Sequence, residues 1–374
     1  EENVFDIQTP VAIFVGVKHQ AEQSDECTVR FRRVHGSRQE KLAELDATGL
    51  DSALFDDVAG QGFDLLTPAG EGHYFDWPTL DAVFPTAWTG CKASRTWPIS
   101  PFPDALEKRW LALTSADGGQ RGALLRETRD RKATSVVSPM LTPGPAKLTP
   151  IGDLATGEPH EGLRPYAFRS FDRQWLLADH RVLDVRGANL WASQGPDQVF
   201  LTTLSSTRVG QGPVLVATPY VPDLHHFRGS FGGRDVFPLW PEPEHTRTNC
   251  PNAMLDALSS TLGVTVTGES VFAYVYGLLG TGAFSQDFAE ELTHGTGYAH
   301  VPLSASRDLF QRAVDLGAEL MFLHTWGIVD WGGQTAAPPA TRVLAHPSTT
   351  PSSFAFDAET GEIAFGDGRV GPVS

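Results

Sequence analysis

The chain has 374 residues, of which 41% are hydrophobic and 20% charged, and its formal net charge is −16. That length supports two or three domains with a buried core, and no run of about 18 apolar residues offers a transmembrane helix. The acidic balance argues against a simple nucleic-acid binder, and the opening "EENVFDIQTP" lacks the basic start and apolar centre of a secretory leader. Cys27, Cys91 and Cys250 stand far apart, which suits reduced thiols in a cytoplasmic protein better than a disulfide framework or a metal pair. The first residue is not Met and a strand-like run begins almost at once, so a fragment of a longer polypeptide is expected.

The continuous apolar run "VAIFVGVK" (11–18) predicts a strand buried on both faces. "TVRFRRVHG" (28–36) alternates and predicts a strand with one wet face. "SRQEKLAELDATG" follows as a helix, with Ser37 as N-cap, Glu40 completing a capping box and Gly49 as the stop. Residues 50–103 are rich in Pro, Gly and Trp and read as a mostly irregular connection, with Trp77, Trp88 and Trp97 as packing anchors. "DALEKRWLAL" (104–113) fits a short helix. Short β-like runs then alternate with turns: "SVVSPML", "QWLLA", "QVFLTTL", "PVLVATPYV" and "DVFPLW". After residue 250 the period becomes helical. Leu255, Leu258 and Leu262 mark one helix closed by Gly263. Val271, Val275 and Leu278 mark another capped by Thr267, with a break near Gly280 and Gly282. Leu309, Ala313, Leu316, Leu320 and Leu323 mark the clearest helix, with Leu316 and Leu320 expected in its core. Residues 332–353 read as a linker and 354–369 as a hairpin turning at Glu359–Gly361.

The charge is unevenly spread. Residues 42–91 carry acids and neither Lys nor Arg, whereas Arg30, Arg32, Arg33, Arg38 and Lys41 form one basic island, and Arg121, Arg126, Arg129, Arg131 and Lys132 another. Such islands steer a polyanion locally, or they are solvated faces. No phosphate loop, no HExxH, no GxSxG elbow and no other metal spacing occurs. The GxG triplets at 60–62, 210–212 and 280–282 are isolated, and "VAGQGF" (58–63) lacks the strand and helix that a cofactor turn needs. One stretch stands apart. "RPYAFRSFDRQWLLADHRVLDVRGANLW" (164–191) packs five arginines among five aromatic residues.

Several pieces together resemble the Type ISP restriction-modification enzymes: "NVFDIQTPVAIFVGVK" (3–18), "VHGSRQEKLAEL" (34–45), "YAFRSFDRQWLLADHRVLD" (166–184), "VPDLHHFRGSFGGRDVFPLW" (221–240), "VFAYVYGLLGTGAFSQDFAEEL" (271–292) and "VPLSASRDLFQRAVDLGAELMFLHTWG" (301–327). They occur in the family's order and cover most of the chain. Pro10 stands where the family pattern has Gly.

The resemblance implies an α+β fold. Residues 1–49 would be the tail of an α/β methyltransferase domain, 50–133 a connecting segment and 134–245 a mixed β-rich target-recognition domain. Residues 246–330 would be a helical subdomain, and 331–374 a linker and hairpin. It implies a parent polypeptide that methylates adenine N6 with S-adenosylmethionine held upstream. The Asn-Pro-Pro-Phe/Tyr loop of such enzymes is absent here, where the only Pro-Pro is Pro338–Pro339. This chain alone is therefore expected to hold no cofactor, no catalytic residue and no methyltransferase activity. The partners implied are double-stranded DNA and the upstream methyltransferase and helicase domains. Arginine grips phosphate and reads guanine, and glutamine reads adenine. On that basis Arg126, Arg129, Arg131 and Lys132, then Arg173 and Gln174, then Arg228 and Arg234 flanking a glycine loop, are the expected DNA contacts. The alternative for "SFDRQW" puts Phe171 and Trp175 in the core and pairs Arg173 with Asp172 or Asp179. The alternative for the whole chain is a structural or interaction module of a phage-defence assembly.

Overall fold

The computed structural model describes residues 4–5, 13–16, 28–32, 34–49, 54–58, 73–141, 145–205, 212–227, 235–294, 297–332, 342–345, 354–357, 359–365 and 368–371. Near the start, β1 (Val29–Phe31) pairs antiparallel with β2 (Asp56–Val58). Between them α1 (Arg38–Ala47) opens with the expected capping box. The Ser37 hydroxyl accepts the Glu40 amide at 3.4 Å, and the Glu40 carboxylate accepts the Ser37 amide at 2.8 Å. Of the doubly buried strand expected at 11–18, residues 11–12 and 17–18 lie outside the described residues. Residues 13–16 are irregular, and Ile13, Phe14 and Val15 are exposed. A strand buried on both faces needs a layer on each side, and no described residue supplies one.

Most of the chain packs around two cores. One gathers α3 (Pro103–Ser115), α4 (Gly118–Leu125) and a three-stranded antiparallel sheet of order β3-β5-β4, made by β3 (Ile99–Ser100), β4 (Leu163–Arg169) and β5 (Asp172–Leu177). The helix α3 forms here because Pro103 is pre-set for the first turn and because Leu106, Trp110 and Leu113 fall on one buried face. The short α5 (Ala188–Ala192) adds Leu190 and Trp191 to this core. The strand expected from "SVVSPML" is absent. Pro139 has no amide to give a ladder, and the Met140 amide is held by the Glu161 carboxylate at 2.8 Å.

The other core joins α2 (Leu80–Val83) to a second three-stranded sheet and to the C-terminal helices. The sheet, of order β7-β6-β8, is built from β6 (Phe200–Thr203), β7 (Val216–Thr218) and β8 (Asp235–Pro238). The helices are α6 (Asn252–Leu262), α7 (Gly268–Leu279), α8 (Gly282–Asp287), α9 (Ala289–His294) and α10 (Arg307–His324). Gly263 closes α6 in the left-handed region and Thr267 caps α7. Trp77 packs on this core, and Trp88 and Trp97 pack on the one around β5. The cores cross the segment boundaries expected from the sequence: one unites residues 91–154 with 163–191, the other residues 199–239 with 250–329.

The buried face of α10 differs from the expected one. Phe310, Ala313, Gly317, Ala318, Met321 and Phe322 are buried, whereas Leu309, Leu316 and Leu323 are exposed and Leu320 is only half-buried. The cause is a seam of small residues with α7. A Cβ on Gly317 would lie 1.8 Å from the Ala273 carbonyl oxygen, and one on Gly277 would lie 2.2 Å from that of Ala313. Backbone approach decides the helix rotation here, and a pattern that counts leucines does not register glycine as a packing residue.

The C-terminal sheet has the order β10-β11-β12-β9, from β9 (Arg342–Ala345), β10 (Phe354–Asp357), β11 (Glu362–Phe365) and β12 (Gly368–Gly371). The expected hairpin is β10–β11, with Gly361 at φ +66°. The expected linker 332–353 contributes β9 to the same sheet. Among the described residues, no helix is long and apolar enough to cross a membrane.

Candidate nucleic-acid interface

β4 and β5 form a hairpin whose last pair is Arg169–Asp172, so Ser170 and Phe171 make the turn. Phe171 takes φ +62°, a left-handed backbone that costs a bulky residue roughly 1–2 kcal/mol. Its neighbours hold it there. The Ser170 hydroxyl donates to the His226 carbonyl at 2.7 Å, and the Phe171 ring meets His324 edge-on at 4.7 Å.

One strand position further, the Arg173 guanidinium lies 4.5 Å over the Trp326 ring. Trp326 follows α10 with φ +58°, and Tyr220 stacks on it at 6.4 Å. Arg173 is exposed and makes no hydrogen bond or ion pair with another described residue. Gln174 donates its amide to Asp172 at 2.7 Å. Neither arm of the packing alternative holds in full. Phe171 is exposed and Trp175 half-buried, while Arg173 pairs with neither Asp172 nor Asp179.

The tip rests on a buried polar base. The Asp223 carboxylate accepts the Tyr166 hydroxyl at 2.6 Å, Arg169 at 2.9 Å and the His225 amide at 2.8 Å. Burial raises the Asp223 pKa above the usual carboxylate range, and these donors counter it. Next to it His226 is buried, 2.8 Å from the Thr202 hydroxyl. Burial, and then the charge of Arg169, lower its pKa to about 3, so it is neutral at pH 7. On the far side the Tyr276 hydroxyl accepts the Ala217 amide and meets His324 Nδ1 at 2.5 Å. Burial also lowers the His324 pKa, so a neutral ring backs Phe171.

His226, bonded to the hairpin tip, lies two residues before the glycine-rich residues 228–234 in the sequence. Arg228 and Arg234 themselves lie outside the described residues.

The other basic island sits past the opposite end of β5. Arg131 is half-buried, with Nε donating to the Leu183 carbonyl at 2.6 Å and Nη2 to His180 Nε2 at 3.2 Å. Arg129 is exposed but lies against Asp130 at 2.7 Å. Arg126 and Lys132 are exposed and have no side-chain partner among the described residues. At about 3.3 Å per residue, the four strand steps from Arg173 to Leu177 put roughly 13 Å of β5 between the two basic sites.

The remaining arginines of 164–191 are braced. Arg164 lies over Trp191 at 5.9 Å, Arg169 over Phe168 at 3.9 Å and Arg181 over Trp110 at 5.0 Å, while Arg186 donates to the Pro139 carbonyl at 2.6 Å. Two aromatic residues of this stretch, Trp191 and Phe168, therefore carry arginines, while Arg173 and Arg181 rest on rings from outside it. Sequence reading missed Tyr220, His324 and Trp326, because no local pattern joins them to the hairpin. Among the described residues, no group of three His, Cys, Asp or Glu side chains is placed to hold a metal ion.

The sequence model of the family described as "Type ISP C-terminal specificity domain" matches residues 82–374. No curated protein matches. Solved structures do. A DrdV–DNA complex determined by cryo-electron microscopy aligns over 89% of this chain and 35% of its own, at 17% identity and a TM-score of 0.53. An ATP-dependent Type ISP restriction-modification enzyme, LlaBIII, bound to DNA, aligns over 89% of this chain and 22% of its own, at 12% identity and a TM-score of 0.54. The likeness is one of fold, and the chain spans about a third of the first protein's length and about a fifth of the second's.

Proposed function

The chain belongs to the Type ISP C-terminal specificity domain family, and from that membership we propose that it recognises a target sequence in duplex DNA and positions it for adenine-N6 methylation elsewhere in the same polypeptide. The observation that carries this reading is Arg173: exposed, unpaired by any described carboxylate, and held over Trp326 in the hairpin whose tip is bonded to His226. The ring contact holds the guanidinium and leaves its N–H donors for the O6 and N7 acceptors of guanine. Gln174, oriented by Asp172, keeps its carbonyl oxygen for the N6 amino group of adenine. Arg126 and Lys132, with Arg228 and Arg234, act on phosphates and set register. DrdV and LlaBIII, which share this fold, were both captured with DNA.

The reading assigns S-adenosylmethionine and methyl transfer to the upstream domain of the parent. The sequence here has no Asn-Pro-Pro-Phe/Tyr loop, so no chemical step runs through these residues. A second reading, an interaction module that does not read bases, is favoured by the net charge of −16.

Selection of duplexes from a random pool, followed by binding titrations in salt, decides between them. On the selected duplex, Arg173→Ala is expected to cost about 1–3 kcal/mol, with little change on random DNA. Replacing Arg228 and Arg234 together by Ala is expected to flatten the log–log salt slope by about two units. If no sequence is enriched, or if Arg173→Ala keeps the site preference, base reading by this surface is wrong.

A further inference from the structure

The hairpin tip contains a residue that base reading leaves unexplained. A two-residue turn with a left-handed second position is cheapest with Gly or Asn. Here that position holds Phe171, at φ +62° and with 47% of its surface exposed. Phenylalanine in this conformation costs free energy in both its backbone and its wetted ring. Such strain persists where the surroundings over-determine it. Four features do so: the Arg169–Asp172 pair, the register shift between Ala167 and Arg169, the Ser170–His226 bond and the edge contact with His324.

The geometry is that of a short, stiff prong. Its ring is braced on one side by His324, which the Tyr276 hydroxyl meets in turn. Arg173 lies two positions along, over the Trp326 ring, so an apolar ring and a cation sit at one end of one hairpin. An apolar ring beside a cation that reads a base edge matches a base step next to the pair being read. Apolar side chains inserted at such steps partly unstack them and kink the duplex.

We propose that Phe171 is a wedge that enters the DNA stack at the recognised site, opening a base step beside the base pair that Arg173 reads. This rests on the DNA-reading function proposed above and adds a deformation to it. Specificity would then come partly from how readily the step opens, since pyrimidine–purine steps unstack most easily.

The test uses the chain with the duplex that its wild-type form selects from a random pool. Each adenine of that duplex is replaced in turn by 2-aminopurine, whose fluorescence rises when it is unstacked. Wild type is expected to brighten one or two adjacent positions by at least about threefold. Phe171→Gly relieves the left-handed backbone, so it should melt within a few degrees of wild type. It is expected to bind within about tenfold of wild type and to lose the brightening. Phe171→Leu keeps an apolar wedge and should recover at least about half of the signal. Bound wild type that brightens no position, or a Phe171→Gly variant that brightens as wild type does, overturns the wedge and leaves base reading by Arg173 standing. A wild-type chain that enriches no duplex overturns both.

Discussion

The two ends of β5 use arginine in opposite ways. At the end that runs into residues 179–186, arginines act as internal struts. Arg181 is buried against Asp179 at 2.7 Å, and Arg131 reaches across to the Leu183 carbonyl. Arg95 faces the buried Asp184, and Arg186 reaches the Pro139 carbonyl. At the hairpin end, Arg173 is exposed and lies over a ring face, with no hydrogen bond or ion pair to another described residue. The same residue type thus gives a fastening in one place and an open recognition group in the other, although Arg169 at the hairpin end is itself tied to Asp223. The difference lies in whether carbonyls and carboxylates lie within reach. An arginine count therefore says little about an interface until each guanidinium has been traced to its partners.

The comparison breaks most visibly at the strut end. Arg181→Met leaves the fully buried Asp179 carboxylate without its cation, and removing one partner of a buried pair costs about 3–5 kcal/mol. Urea denaturation should show that loss. A midpoint equal to wild type would mean that Arg181 is no strut.

A smaller effect separates the ends by pH. His226 anchors the open end as a neutral ring with its pKa lowered to about 3, mainly by burial. In the unfolded chain a histidine titrates near 6.5. Below that pH the unfolded state binds a proton that the folded state refuses, so stability is present above 6.5 and falls as the solution is acidified. Between pH 7 and pH 5 the loss from this group is about 2 kcal/mol, and His226→Leu should remove that part of the slope. If wild type and variant lose stability in parallel, His226 titrates normally in the fold.

The smallest effect belongs to Arg173. Arg173→Ala removes an exposed cation–π contact and should change folding stability by no more than about 0.5–1 kcal/mol, in contrast to Arg181. A loss above about 2 kcal/mol would make Arg173 a strut like the others and erase the difference between the ends.

Features set by near neighbours in sequence were legible beforehand. Ser37 with Glu40, Thr267 and Gly263 marked helix ends, because caps bind groups three or four residues away. The helix at 103–115 and the hairpin at 354–365 followed from spacing and turn residues. The rotation of α10 was not legible, because it depends on Gly317 meeting Gly277 on another helix. "SVVSPML" had strand composition, yet Pro139 and the Glu161 carboxylate drew it out of any ladder.

The candidate site divides along the same line. The crowding of arginine and aromatic residues in 164–191, and its likeness to Type ISP enzymes, stood in the sequence by itself. So did the glycine-rich segment after His226. Which arginine is free was decided only in three dimensions. Arg173 is held by Trp326 and Tyr220, Phe171 by His324, and Ser170 by His226, all from distant parts of the chain. Rotamers, caps and periodicity act over one or two turns of chain, so residues alone announce them. A guanidinium becomes a strut or a reader according to the oxygen atoms and rings that fold to within a few ångströms of it, and only packing brings those together.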